Sequence, residues 1–294
     1  MLYIKVPAST SNLGPGFDSI GMAVNLYLEL EVCEHDVWEI QHFGEMLAEL
    51  VNDEQHYIRK YCQYFIDKFN LPEKYFSVVM HSDIPLARGL GSSGSALIAS
   101  LEIINYFYEL NLSKHEKVRL LSEIEGHPDN VAPSILGGVV VGYYNPQKNI
   151  TNALQVPVIE WPIMVVIPDY ELKTSEARAV LPKEMPYNTA VEAGAIGNML
   201  TAALYSKDYA LAGQMMQQDI YHEPYRKHLV PHYDIVNNVI SGQCFSFLSG
   251  AGPSIFVICH PDHFNDNFKA LNLLQNCEIK HIQIDVNGVI AYEK

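Results

Sequence analysis

Residues 23 to 34, AVNLYLELEVCE, alternate without a break: Val24, Leu26, Leu28, Leu30 and Val32 fall on one side, Asn25, Tyr27, Glu29 and Glu31 on the other. A period of two sustained over this length belongs to a strand with one face in a core and the other in water, as in an antiparallel sheet. A second strand is expected through YFSVVMHS, 75 to 82. After the glycines at 89, 91 and 94 the pattern turns helical, with Leu97, Leu101, Ile104 and Tyr108 on one face. NLSKHE ends that helix and offers a cap to the next, expected over 114 to 125.

The stretch 145 to 162, NPQKNITNALQVPVIEWP, gathers Pro, Asn and polar residues ahead of the apolar run IMVVIP, and it is the expected boundary between domains 1–155 and 156–294. Beyond it the reading is two helices, 188 to 206 and 208 to 219, then CFSFLSGAGPSIFVIC as strand, glycine turn and strand. A helix near 261 to 275 follows, and a final hairpin turning at Asn287-Gly288. Strands and helices intermixed with hairpins in both halves define an α+β chain, not a doubly wound parallel sheet.

With 294 residues, 48% of them hydrophobic, the chain has ample material for a core. A formal net charge of −15 without any basic run argues against nucleic acid or an anionic membrane as partner, so an anionic ligand needs locally placed donors. The five cysteines, Cys33, Cys62, Cys244, Cys259 and Cys277, are scattered and without C-x-x-C spacing. They are expected to be buried free thiols in a reducing cytoplasm, with no zinc site. No basic region followed by an apolar segment opens the chain and no run of 18 apolar residues follows, so a soluble cytoplasmic protein is expected.

The glycine stretch PLARGLGSSGSALIA, 85 to 99, matches G-x-G-x-x-G by spacing alone. Six residues separate the expected strand from Gly89, and the acid at the right distance, Glu109, falls within the helical pattern, so the context of a dinucleotide fold is missing. Gly94 is followed by Ser95-Ala96 where a Walker loop requires Lys and then Ser or Thr. Two readings stay open from the residues: an anion cradle at a helix start, or a plain glycine turn with Ser92 or Ser93 as N-cap.

Three segments together resemble the motifs of the GHMP kinases: PLARGLGSSGSA, VPASTSNLGPGFDSIGMAV from Val6 to Val24, and SGAGPSIFVI from Ser249 to Ile258. EGHPDNVAPSILGG from Glu125 and YHEPYRKHLVP from Tyr221 are similar to the branch of that family that acts on homoserine. The resemblance spans nearly the whole chain. It implies the two-domain GHMP kinase fold, with an N-terminal ATP-binding domain and a C-terminal ferredoxin-like α/β sandwich domain. The activity implied is ATP-dependent phosphorylation of the L-homoserine hydroxyl with Mg²⁺, a step in threonine biosynthesis, by a homodimer. Another small-molecule GHMP kinase, mevalonate-type or cytidylyl-polyol, and a non-catalytic binding module with the same fold are the alternatives.

The resemblance also implies roles. Pro85, Leu86, Ala87, Arg88, Gly89, Leu90, Gly91, Ser92, Ser93, Gly94 and Ser95 form the ATP loop, and Gly94 stands where alanine is commoner. Asp18 takes the ammonium, Arg226 and Arg178 the carboxylate, His127 lies near the amino acid, Asn12 helps line the site, and Asn130 orients the reacting hydroxyl. Ser93 and Glu123 serve Mg²⁺, with Glu125 a possible substitute because the run before His127 is short. The adenine is expected against the segment 50 to 75. From the residues alone, Asp18 reads as a helix or turn cap, the two arginines as solvated helix residues and Asp129-Asn130 as a turn bonding its own backbone.

Overall fold

The protein is described here by a computed structural model covering residues 1–44, 47 and 55–294. Its chain begins with β1 (Leu2–Ser11) and β2 (Ile20–His35), an antiparallel pair whose register shifts between Pro7 and Ala8. Proline lacks a ladder N–H, and a bulge is where a strand tolerates one. β2 keeps the expected alternation, with Leu26, Leu28, Leu30 and Val32 buried and the residues between them half-buried.

At 16 residues β2 is long enough to serve two neighbours on one side. Ile20–Met22 pair with β5 (Val139–Asn145), which pairs in turn with β6 (Ile150–Val156), while Leu28–His35 pair with β4 (Tyr75–Ser82). β4 carries β3 (Glu39–Phe43), a parallel neighbour in an otherwise antiparallel sheet. Between these two arms, Ala23 and Asn25 of β2 bond to the segment 283 to 285.

The helices of this half are α1 (Tyr57–Lys68), α2 (Ser92–Phe107), α3 (Lys114–Glu125) and α4 (Val131–Leu136). α3 starts as expected, on a capping box in which the Ser113 hydroxyl accepts from Glu116 N–H and the Glu116 carboxylate accepts from Ser113 N–H. α2 differs from the amphipathic expectation. Every residue from Gly94 to Ile104 is buried, because the helix lies on β1 and β2 and is flanked by α1, α3 and α4. Even Glu102 is covered, held by Lys117 at 2.7 Å.

The second half holds β7 (Ile163–Pro168), α5 (Thr174–Ala179), α6 (Tyr187–Ser206), α7 (Tyr209–Met216), α8 (Glu223–Arg226), α9 (His232–Val239), β8 (Cys244–Leu248), β9 (Ile255–Cys259), α10 (Pro261–Leu271) and β10 (Cys277–Ile282). Its antiparallel sheet runs β10-β7-β9-β8, the strand order of the ferredoxin-like split βαβ unit. The unbroken apolar run of β7 has a simple cause. Ile163, Val165 and Ile167 join the core under the first sheet, whereas Met164 and Val166 join a second core with residues such as Val236 of α9 and Leu271 of α10.

Two sequence expectations need correction here. The last strand, β11 (Ile290–Glu293), pairs with β1 and not with β10, so the end of the chain returns to the first sheet and no terminal hairpin forms. The turn chemistry is present: Asp285 Oδ1 accepts from the N–H groups of Asn287 and Gly288 at 3.0 and 2.7 Å. Turn residues specify a reversal, but they do not choose the partner strand. The second correction concerns the cysteines. Cys244 and Cys259 stand directly opposite each other in the β8–β9 register and are joined by a disulfide, and of the three free thiols Cys33 is exposed. Among the described residues no helix is long and apolar enough to cross a membrane.

Candidate active site

The loop before α2 is built by backbone shape. Gly89 and Gly91 lie at φ +74° and +72°, and a side chain on either would collide with Ser249 and Gly252 carbonyls or with Ser9. Gly91 itself is the N-cap of α2, with no side-chain cap bond. Neither serine therefore caps the helix, and Ser92 and Ser93 line a cavity of about 610 Å³. The first-turn N–H groups have no carbonyl one turn back, so a 16-residue helix presents its positive end at the same place.

Not all of the expected ATP loop faces this cavity. Leu86, Ala87, Gly89, Gly91, Ser92, Ser93 and Gly94 line it. Leu90 and Pro85 are packed inward, and Ser95 Oγ turns back to the Gly91 carbonyl at 3.1 Å. Arg88 points to the opposite side, donating to the carbonyls of Leu86, Pro168 and Asp169 and pairing with Glu171 at 3.2 Å. It fastens the loop to the end of β7 and does not line the cavity.

The other end of the cavity is polar and draws on both halves of the chain. Asn12 and Asp18, on the loop between β1 and β2, sit at φ 77° and 54°, which Asn and Asp tolerate better than most residues. Asn12 Oδ1 accepts from Asp18 N–H at 3.1 Å and its Nδ2 donates to the Gly250 carbonyl at 3.2 Å. In HPDN, the Asn130 side chain does not close a local turn. Its Oδ1 accepts from Ser9 Oγ of β1 at 3.1 Å. His127 Nδ1 meets Asp129 Oδ1 at 2.5 Å. Burial disfavours the charged imidazole, yet the bond to Asp129 and that carboxylate's charge outweigh it, and the His127 pKa is raised.

Arg178, in the last turn of α5, pairs with Asp18 at 3.0 Å. Arg226, from α8, is only 2% exposed. It donates to the carbonyls of Ala177 and Gly250 and lies over the Phe17 ring at 5.2 Å. Burial, then the nearby Arg178 charge, push its pKa down to about 10. Asn12, Asp18, His127, Asn130, Arg178 and Arg226 thus line one cavity with the glycine loop.

The two acids of SEIEG part company. Glu123 is directed outward to Lys68 at 2.9 Å and to Asn149 Nδ2 at 3.2 Å, and it does not line the cavity. Glu125 does, and burial raises its carboxyl pKa. Of the two acids expected near the metal, Glu125 and not Glu123 is therefore the one that lines the cavity. Two residues on a helix are about 200° apart, so only one of them can face the same cleft. Ser93 and Glu125 both line the cavity and both carry the hard oxygen donors that Mg²⁺ prefers.

An apolar end completes the cavity, with Leu28, Leu47, Ile58, Met80, Ile84 and Ala96, next to His56 and Tyr57. Part of the 50 to 75 segment, residues 50 to 54, lies outside the described residues. Lys173, Thr174 and Ser175 also line the cavity, from the start of α5. No spacing signal marks them.

A glycine loop on the start of a central helix, beneath the first sheet and beside a ferredoxin-like unit, defines the GHMP class of small-molecule kinases, and the family models agree. GHMP kinases N terminal domain matches residues 56–138 and GHMP kinases C terminal matches 200–272. Homoserine kinase of Staphylococcus saprophyticus is 43% identical over 98% of this chain and 96% of its own, and that of Staphylococcus haemolyticus is 44% identical over the same shares. A Listeria monocytogenes structure, provisionally identified as a homoserine kinase, superposes with a TM-score of 0.84 at 36% identity, covering both chains fully. The chain belongs to the homoserine kinase family of GHMP kinases.

Proposed function

We propose that this protein transfers the γ-phosphoryl group of ATP to the side-chain hydroxyl of L-homoserine, giving O-phospho-L-homoserine and ADP. The observation that supports it best is one cavity shared by the phosphate-type loop, Gly89 to Gly94, and by Asp18, His127, Asn130, Arg178 and Arg226. Homoserine carries an ammonium, a carboxylate and a hydroxyl. Asp18 suits the first, the guanidinium groups of Arg178 and Arg226 the second, and Asn130 the third. The apolar end around Leu28, Ile58 and Met80 suits the adenine.

In this reading the backbone N–H groups at the head of α2 hold the triphosphate and stabilise charge on the transferring group. Ser93 and Glu125 would hold Mg²⁺, which supplies further charge neutralisation when bound. Asn130, fixed by Ser9, aligns the hydroxyl for in-line attack. The oxygen of homoserine bonds to phosphorus as the bond to the β-phosphate oxygen breaks, and the hydroxyl proton is lost late, so a strong base is not required.

An assay coupled to ADP release tests the substrate directly. Homoserine is expected to exceed serine, mevalonate and galactose by a wide margin. Turnover of another acceptor with none on homoserine would leave a kinase and remove this substrate.

A further inference from the structure

Besides the carbonyls of Ala177 and Gly250, Arg226 meets one side chain that does not line the cavity. His222, a helical turn earlier and fully buried, places Nδ1 3.3 Å from Arg226 Nη1 and Nε2 3.0 Å from the Gly14 carbonyl. A guanidinium has only donors and a carbonyl only accepts, so Nδ1 accepts, Nε2 carries the proton, and the ring is neutral. Its surroundings agree: burial first, with the Arg226 charge adding to it against the pull of Asp219, pushes the His222 pKa down to about 4.

The same ring ties down the acceptor loop. His222 stacks on Phe17 at 5.2 Å, and the Arg226 guanidinium lies over that ring at the same distance. Gly14 and Phe17 belong to the loop that carries Asn12 and Asp18. Asp219, itself buried, fixes the backbone under His222 by accepting from the N–H groups of Tyr221, His222 and Glu223 at 2.7 to 3.0 Å.

Resting on the reading of Arg226 and Asp18 as the acceptor's charged partners, we propose that His222 is a positioning residue for acceptor recognition. Its ring sets the carboxylate clamp, Arg226, and the loop bearing the ammonium partner, Asp18, in one register. ATP, held at the other end of the cavity, depends on neither contact. A side chain that merely fills space there would affect both substrates through stability, or neither.

The test is steady-state kinetics on the intact protein with ATP and homoserine varied separately, beside a thermal unfolding curve for each variant. His222→Phe keeps a ring and removes both hydrogen-bonding nitrogens. It is expected to raise KM for homoserine by roughly tenfold while KM for ATP stays within about twofold. His222→Gln, which retains one acceptor and one donor, is expected to recover most of the loss. In an Arg226→Lys background, His222→Phe is expected to add less than about threefold, because residues acting through one contact are not additive. Equal rises in both KM values, full additivity with Arg226→Lys, or an unchanged homoserine KM overturns the proposal. Should His222→Phe not fold, His222→Ala is read by the same criteria. A wild-type protein inactive on homoserine removes the substrate assignment and the proposal with it, whereas an active wild type with an unaffected variant removes only the proposal.

Discussion

Asp18 and Arg178 face each other across the polar end of the cavity in a forked pair, Oδ1 3.0 Å from Nη2 and Oδ2 3.4 Å from Nη1. Their side chains are 34% and 42% exposed, so solvent screens the pair and its contribution to stability is about 0–1 kcal/mol. A zwitterionic amino acid can replace each partner with one of its own charges at little cost. Asp18→Asn is therefore expected to raise KM for homoserine by roughly tenfold or more while KM for ATP is nearly unchanged. The unfolding midpoint is expected to move by no more than about 4 °C. Separate titration of the two substrates checks the first expectation. A parallel rise in the ATP KM would show that Asp18 acts on the whole cavity instead.

Glu125 and Glu123 are two positions apart in sequence and face different surroundings, which gives a paired prediction on the metal. Glu125→Gln is expected to raise the Mg²⁺ concentration for half-maximal rate by roughly tenfold, as loss of a charged oxygen donor should. Glu123→Gln removes the contact to Lys68 at 2.9 Å and is expected to leave the Mg²⁺ dependence unchanged. Activity measured across a magnesium titration separates them. Reversal of the two phenotypes would restore Glu123 as the ligand.

Much of this was legible in sequence where local pattern and final environment agree. The alternation of 23 to 34 is the β2 that forms, and the Ser113 and Glu116 pair caps α3 as its spacing implies. Pattern was less informative wherever the partner comes from far along the chain. Asn287-Gly288 turns the chain, but the strand after it pairs with β1, more than 280 residues earlier in sequence. The Cys244–Cys259 contact depends on β8 and β9 register, which spacing does not encode. In the site, motif order brought out Asp18, His127, Asn130 and both arginines. Arg88 and Ser95 belong to the same motif but face away, since a motif fixes residue type and not the direction of each side chain.

The His127–Asp129 contact predicts a pH dependence with a defined sign. The folded pKa of His127 lies above its ordinary value of 6.5: burial opposes this, and Asp129 outweighs burial. A raised histidine adds stability that is fully present below its unfolded pKa and is lost as pH rises through the folded one. The stability difference between wild type and His127→Gln is therefore expected to be larger at low pH, below 6.5, than well above the folded pKa. Asp129→Asn should lower the His127 titration midpoint, followed by NMR of the ring proton. An unchanged midpoint would show that Asp129 does not hold the charge.

The glycines of the phosphate-type loop predict two opposite outcomes. A Cβ at Gly94 would meet only Asn130 Cβ and Val131 Cγ1 at 3.8 Å, which is ordinary contact, and the residue is already helical. Alanine there loses no space and gains helix propensity, so Gly94→Ala is expected to keep both KM values within about twofold and to stabilise by up to about 1 kcal/mol. Gly89 differs, with φ +74° and a Cβ that would lie 2.4 Å from the Ser249 carbonyl and 2.7 Å from that of Gly252. Those oxygens are backbone of the turn between β8 and β9, and Ser249 Oγ also donates to the Gly89 carbonyl at 2.6 Å. Neither side can yield without moving the loop off the second half of the chain. Gly89→Ala is expected to raise the ATP KM by roughly tenfold or more and to lower the unfolding midpoint by several degrees, as strained backbone does. Kinetics and thermal unfolding on the two variants decide the matter: equal damage from both would mean that the loop needs glycine for a reason other than close backbone approach.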